Sequence, residues 1–458
     1  MNNSIRLKLF LMMVLEFFIW GAWLPLIFGY LPSLGFSPAQ QSWILNAFPI
    51  AAIVGMFFSN QYADRHFAAQ RFLAFSHLVG GLAMLGLATI QPPAPVPGLA
   101  PGAANPNAPF ALFFGLMLLH CLLYVPTISI TNSIAFANMK DPQREFGIVR
   151  MGGTIGWILA AWPFTFILVD WAKVHEANPQ GLQNWMGTVL GSGLTGDALL
   201  RGTRWTYIVA GIASLALAAF SLLLPHTPPK KVTQGEDRFA WLESAKLLRH
   251  PFVLVLWLVT FVDAFVHNCY FNWTGSFLGT PPQAGGVGIA GNWIMPAMSV
   301  GQVAEILTMF ILGATLKRLG WRATMVFGIL GHAARFAVYA FFPTAANVIV
   351  VQVLHGICYA FFFATVYIFV DEYFPKDVRA SAQGLFNVMI LGIGSLAANS
   401  LCPWLKQAKF TVNGVTDFHT LFLVPLSAAV LAAIALALFF RPPVRQEPEA
   451  APQAALAA

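Results

Sequence analysis

Charge is what this sequence has least of. Only 9% of its 458 residues are Asp, Glu, Lys or Arg, where a soluble domain carries roughly 25%. That scarcity excludes a molecule whose surface faces water on all sides, and leaves lipid as the alternative solvent. Cysteine is also scarce. Cys121, Cys269, Cys358 and Cys402 all sit inside apolar runs, and no two form a CxxC pair. Neither a zinc site nor a disulfide framework is supported, so the four read as small buried helix residues. There is no Walker A sequence, no GxGxxG after a strand, no HExxH and no GxSxG. An ATP-driven pump or a membrane hydrolase therefore has no motif to rest on. An enzyme is not expected, and neither a cofactor nor a bound metal is implied. The net charge of +7 is not a nucleic-acid footprint. The basic residues fall in short segments between apolar runs, with no basic face alternating with exposed aromatics.

Hydrophobic residues make up 58% of the chain. A helix needs about 20 apolar residues to cross the hydrocarbon core. Twelve such stretches are expected, with ends good to a few residues: 8–30, 42–62, 69–90, 110–134, 146–169, 204–225, 250–278, 292–316, 321–342, 345–371, 380–403 and 418–440. Backbone in lipid must satisfy its own hydrogen bonds, so these read as helices. The first run, from Leu9 to Tyr30, is too long for a signal-peptide core and has no small-residue cleavage site. The fold class expected is an all-α membrane protein with twelve transmembrane helices in two six-helix halves.

The connections divide the chain. Residues 91–109 are an uncharged Pro/Ala/Gly loop, and 170–203 form a longer polar insertion. The most charged segment of the middle of the chain follows the sixth run and splits the spans six and six, the organisation of a transporter built from two repeats. The boundaries expected are 1–229 and 250–441 for the two halves, 230–249 for a linker, and 442–458 for a tail. Within the linker, Asp237 to Arg249 has the pattern of a surface amphipathic helix, with Phe239, Trp241, Leu242, Leu247 and Leu248 on its apolar side. Placing the N-terminus in the cytoplasm puts eighteen Lys and Arg residues on that side and five on the other. That bias predicts cytoplasmic termini in a bacterial-type inner membrane.

A charge at the bilayer centre costs from about 2.5 kcal/mol upward. Glu16, Arg150, Asp263, Glu305 and Arg335 therefore each ask for a partner or a function. Glu305 shares a helix face with Gln302, three residues earlier. The pair reads as a solute-binding amide beside a carboxylate that takes up and releases a proton; the alternative is an ion pair with Arg150 or Arg335. Asp263, His267, Asn268, Tyr270, Asn272 and Trp273 make the seventh run too polar for a lipid face, so it reads as a cavity wall. Asp263 and His267 are one turn apart and suited to share a proton. Arg150, Thr154 and Trp157 recur down one side of the fifth run: a cation, a hydroxyl and an indole for a solute with oxygen acceptors and a flat ring. Close helix packing by the intervening glycines is the structural alternative. Glu16 is either a second proton site or a structurally bonded carboxylate, and Arg335 reads as a structural partner.

Asp64 and Arg65, in NQYADRHFAAQR, resemble the loop motif of the major facilitator superfamily, a gate element without its expected glycines. LKRLGWR stands at the equivalent place in the second half. Six stretches together resemble the nucleoside:proton symporter family of that superfamily: FFIWGAWL, YVPTISITNSI, VRMGGTIGW, GQVAEI, LHGICYAFFF and VRASAQGLF. The resemblance implies the major facilitator fold, alternating access and inward nucleoside transport driven by protons. It matches Arg150, Thr154, Trp157, Asn268, Gln302, Glu305, His355 and Tyr359 to substrate-cavity positions. Phe271 stands where a polar residue is expected and is a candidate to stack a base beside Trp157 and Tyr359. Proton coupling is assigned to Glu305, with Asp263 and Glu16 as alternatives. Ala360 replaces an Asp that the family pattern places after the aromatic of the tenth span. That departure leaves open a carrier of another polar solute, such as a sugar or drug, without proton coupling. A receptor or scaffold would need a sizeable soluble segment, and none is present. The partners implied are a nucleoside, protons and the lipid bilayer, with the protein a monomer.

Overall fold

A computed structural model describes residues 3–55, 67–100, 102–229, 246–374 and 376–442. The expected gate pair Asp64 and Arg65, the greater part of the linker and the tail from 443 on lie outside the described residues. The described residues are helical almost throughout, with one two-stranded ribbon among them pairing Thr411–Val412 with Val415–Thr416. The helices are α1 (Asn3–Tyr30), α2 (Pro38–Leu45), α3 (Ala47–Val54), α4 (Ala69–Ala88), α5 (Phe110–Ala137), α6 (Pro142–Ala161) and α7 (Arg204–Ser221). After the linker come α8 (Pro251–Gly279), α9 (Gly291–Phe341), α10 (Ala345–Tyr373), α11 (Ala382–Lys409) and α12 (Phe418–Phe439).

Among the described residues, nine helices are long and apolar enough to cross a membrane. Two of the expected runs fall within the 51 residues of α9, where the chain reverses at Gly320. Its φ of 71° is a left-handed geometry that only glycine adopts at no steric cost. Two other expected runs are not among the nine. The stretch 42–62 is interrupted at Asn46 and continues beyond the described residues. The stretch 146–169 is polar and breaks at Trp162–Pro163. That interruption is chemical: a helix that carries cavity residues loses hydropathy because part of its surface faces water.

Local signals set several helix ends. Ser37 opens α2 with a capping box, accepting from Gln40 N at 3.3 Å while Gln40 Oε1 accepts from Ser37 N at 3.0 Å. Asp417 opens α12 by accepting from Thr420 N at 3.0 Å. The connecting insertion after α6 is not a plain loop, as it folds into three short helices, Trp171–Ala177, Leu182–Gly191 and Gly196–Gly202.

The N-terminal helices pack on one another, α1 on α6 and α4 on α5 and α7, as do the C-terminal ones, α9 on α10 and α12 and α8 on α11. The α1–α6 contact depends on Gly156, where a Cβ would collide with the Val14 backbone oxygen. Small residues let transmembrane backbones approach this closely. Hydrogen bonds between the two groups of helices cluster at the face opposite the N-terminus. Asn46 donates to Ser400 Oγ at 2.9 Å, Asn399 to Leu45 O at 3.0 Å, and Gln407 to Gln41 Oε1 at 2.8 Å. Across the same face, Trp293 Nε1 donates to Leu190 O at 2.9 Å and Gly291 N to Leu194 O at 2.9 Å. The insertion thus straps the start of α9.

Gly156→Ala should force α1 and α6 apart, lowering stability by about 1–3 kcal/mol, the usual cost of overpacking. Thermal unfolding of the purified protein in detergent checks this; an unchanged midpoint would mean the helices have slack that the structure does not show.

Candidate functional site

Between the two groups of helices lies a cavity of about 500 Å³, well within the roughly 300–1,000 Å³ of small-molecule sites. Its N-terminal wall comes from α1, α2, α3, α5 and α6, its C-terminal wall from α8 to α11. All nine residues singled out for the solute line it: Arg150, Thr154, Trp157, Asn268, Phe271, Gln302, Glu305, His355 and Tyr359. The cavity extends past Gly55, Tyr367 and Asn387, toward the face that carries the N-terminus.

The site is brought together by backbone proximity. A Cβ at Gly356 would strike the backbone of Ala304 and Glu305, and one at Gly301 would lie 2.8 Å from His355 Cβ. The glycines of GQVAEI and LHGICY therefore interlock α9 with α10 and set Glu305 beside His355. At Tyr359–Ala364, α10 widens into a π-helical turn, a distortion frequent at functional sites. Tyr359 enters the cavity from this turn, while Ala360 is fully buried against Leu312 and Phe361. The residue at the departure from the family pattern thus packs in an apolar cluster.

The polar lining offers both donors and acceptors. Arg150 rests over the Phe17 ring, 4.3 Å from its centroid, and makes no ion pair with Glu305 among the described residues. The ion-pair alternative for Glu305 is therefore not what the structure adopts, with either Arg150 or Arg335. Asn268 spends its amide hydrogens on Ala264 O at 2.8 Å and Ser395 Oγ at 3.0 Å, leaving Oδ1 as an acceptor. Gln302 Oε1 is buried without a hydrogen-bond partner among the described residues, an acceptor that a solute donor would satisfy. Aromatic rings and aliphatic side chains form the rest. Trp20 stacks on Phe48 at 4.6 Å and meets Trp157 edge-on at 5.1 Å, and Trp157 meets Phe271 at 6.3 Å.

Other expectations fare differently. Of the polar residues of α8, His267 and Asn268 line the cavity, whereas Asp263, Tyr270, Asn272 and Trp273 do not. Asp263 does not hydrogen-bond His267. Among the described residues its ion-pair contact is with His332, 3.8 Å from Oδ2, because α8 turns Asp263 away from the cavity and onto α9. Glu16 is fully buried inside the N-terminal helices, with His77 Nε2 2.9 Å from Oε2 and Thr127 donating to Oε1 at 2.8 Å. His77 continues to Ser214 Oγ at 3.0 Å. Such a set satisfies a buried carboxylate without solvent. No group of three His, Cys, Asp or Glu residues has metal-binding geometry among the described residues.

The sequence reading missed Trp20, Asn132, Tyr367 and Asn387, all of which line the cavity. Trp20 and Asn132 stand inside the quoted stretches FFIWGAWL and YVPTISITNSI, and membership of those stretches was the available signal. Tyr367 and Asn387, joined by a 2.6 Å hydrogen bond, had none.

Comparison with known proteins decides the family. The nucleoside H+ symporter family model matches residues 1–190 and 186–445. The chain belongs to the nucleoside H+ symporter family. This places it among membrane transporters rather than enzymes. The putative nucleoside transporter YegT of Escherichia coli (strain K12) is 31% identical over 446 residues, covering 95% of this chain and 93% of that protein. The xanthosine permease of the same organism is 26% identical, covering 94% of each chain. A crystal structure of the nucleoside transporter NupG superposes with a TM-score of 0.74 at 22% identity, covering 97% of this chain and 100% of that one. The D-xylose-proton symporter follows the same fold at a TM-score of 0.63 and 14% identity. The fold of this chain is that of the major facilitator transporters.

Two carboxylates should respond very unequally to substitution. Glu16→Ala strands His77 and Thr127, and should cost about 3–5 kcal/mol, the range for breaking a buried pair. Glu305→Gln removes a carboxylate with no hydrogen-bond or ion-pair partner among the described residues, and should change stability by less than about 0.5 kcal/mol. Thermal melts of the two purified variants compare them directly.

Proposed function

We propose that this chain imports nucleosides by proton symport, through alternating access at the cavity between its two groups of helices. The observation that carries this reading is the convergence of Arg150, Gln302 and Glu305 on one aromatic-lined cavity, in a chain of the nucleoside H+ symporter family. Trp157, Tyr359 and Phe271 offer faces for a base. Arg150, Thr154, Asn268, Gln302 and His355 offer the donors and acceptors that its polar edges and sugar hydroxyls require. A sugar or drug carrier is not favoured, since the relatives named above are nucleoside transporters and a xanthosine permease.

Glu305 is the coupling carboxylate of this reading. Among the described residues it is the acid that faces the cavity, where Asp263 and Glu16 are sealed behind the walls. Protonation neutralises it, which permits the carrier to rock without dragging a bare charge through an apolar passage. A membrane potential then contributes about 2.3 kcal/mol per charge per 100 mV to accumulation.

The halves of this reading are residues 1–229 and 250–441, joined by a linker at 230–249 and followed by a tail at 442–458. Both termini lie in the cytoplasm of a bacterial inner membrane, and the transporter works as a monomer. The bonds of Asn46 to Ser400, Asn399 to Leu45 and Trp293 to Leu190 then seal the outer face, and the cavity opens inward. Asp64 and Arg65 belong to the cytoplasmic gate.

Cells expressing the chain should accumulate radiolabelled uridine, and a protonophore should abolish the gradient; uptake indifferent to the protonophore excludes coupling. Glu305→Gln should abolish accumulation while leaving exchange of preloaded uridine. Arg150→Met should weaken binding by about 10- to 100-fold, the loss of a charge-assisted hydrogen bond.

A further inference from the structure

Behind the C-terminal wall lies a group of side chains that solute binding does not use. Asp263, His332 and Arg335 are fully buried. The Arg335 guanidinium lies over the Tyr270 ring, 4.1 Å from its centroid. Its NH1 is 2.8 Å from His355 Nδ1 and its NH2 2.9 Å from His332 Nδ1. A guanidinium has donors and no acceptor, so each Nδ1 must accept. An imidazole whose Nδ1 is an acceptor carries its single proton on Nε2. A proton on Nδ1 as well would point N–H against the N–H of a buried cation. Arg335 therefore sets the tautomer of both histidines.

The two Nε2–H groups face different surroundings. That of His332 lies 3.8 Å from Asp263 Oδ2, beyond hydrogen-bond distance but near enough for the carboxylate to offset the arginine's charge, and it is sealed from the cavity. His355 lines the cavity, and its Nε2 has no hydrogen-bond partner among the described residues. No carboxylate there comes within 4 Å of it. The rings of Tyr270 and His267, at 5.1 and 5.2 Å, hold the imidazole in place. The wall thus presents a fixed, neutral, unsatisfied donor.

We propose that Arg335 is a positioning residue that locks His355 as an Nε2–H donor to an acceptor on the base of the solute. The inference rests on the nucleoside reading and refines it: the site selects bases with a carbonyl oxygen or ring nitrogen acceptor facing α10. Burial makes the selection strong, because a base without that acceptor leaves the donor unpaired.

Calorimetry on the purified protein tests this with uridine, inosine and analogues in which one acceptor is weakened or removed, 4-thiouridine and 7-deazainosine. His355→Phe should weaken binding of the parent nucleosides by about tenfold. The analogue in which the recognised acceptor is weakened or removed should bind the unsubstituted protein with most of the same loss, and His355→Phe should weaken it little further. His355→Gln, which keeps an N–H donor, should restore most of the parent affinity. Arg335→Met should reproduce the loss and Arg335→Lys relieve it. A His355→Phe variant that weakens parents and analogues by one common factor, or weakens none, overturns the proposal. Absence of any nucleoside binding by the unsubstituted protein would instead remove the function on which it rests.

Discussion

The cost of holding an ionised or amide-bearing side chain away from bulk water orders this structure. The helices turn such groups inward, and the groups then meet one of two fates. Some are satisfied within a wall. Glu16 is enclosed by His77 and Thr127, and the terminal nitrogens of Arg335 by His332 and His355, with the Asp263 carboxylate 3.8 Å from His332 but not hydrogen-bonded. Others stay incomplete and face the cavity, as Arg150, Gln302 and Glu305 do. The first kind builds stiff walls, and the second builds a site that a polar solute completes.

Stiff walls need close helices, and the same short motifs supply both closeness and chemistry. In VRMGGTIGW, Gly156 lets α6 lie on α1 while Arg150, Thr154 and Trp157 face the cavity. In GQVAEI and LHGICY, Gly301 and Gly356 interlock α9 with α10 and thereby place Glu305 beside His355. A motif that looks like packing and a motif that looks like binding are two sides of one helix. The contacts between the walls are of another kind. Beside close approaches such as Gly275 against Pro25 O, they include hydrogen bonds from Asn, Gln and Trp side chains at one face, which exchange readily with water and suit a seam that opens and closes.

Much of the site was legible because helix periodicity acts over short range. Residues three or four apart share a face, so Arg150 with Thr154 and Gln302 with Glu305 were grouped correctly without coordinates. The failures are those where periodicity gives no answer. Asp263 and His267 share a turn, yet the structure faces Asp263 onto His332 on α9 and His267 onto the cavity. Arg335 read as a structural partner, and only its position behind His355 shows what it fixes. Ala360 stood out as a missing acid, but the π-helical turn of α10 packs it among apolar side chains.

The sequence by itself determined the solvent, the helices and the direction each polar residue takes around its own helix. These follow from composition and a 3.6-residue period, and both are local. Tertiary structure alone decided which polar faces meet, which carboxylate is sealed and which is left open, and that an arginine beyond the wall sets the protonation of a histidine within it. Those outcomes depend on contacts between helices tens or hundreds of residues apart, whose rotation and depth no local period encodes.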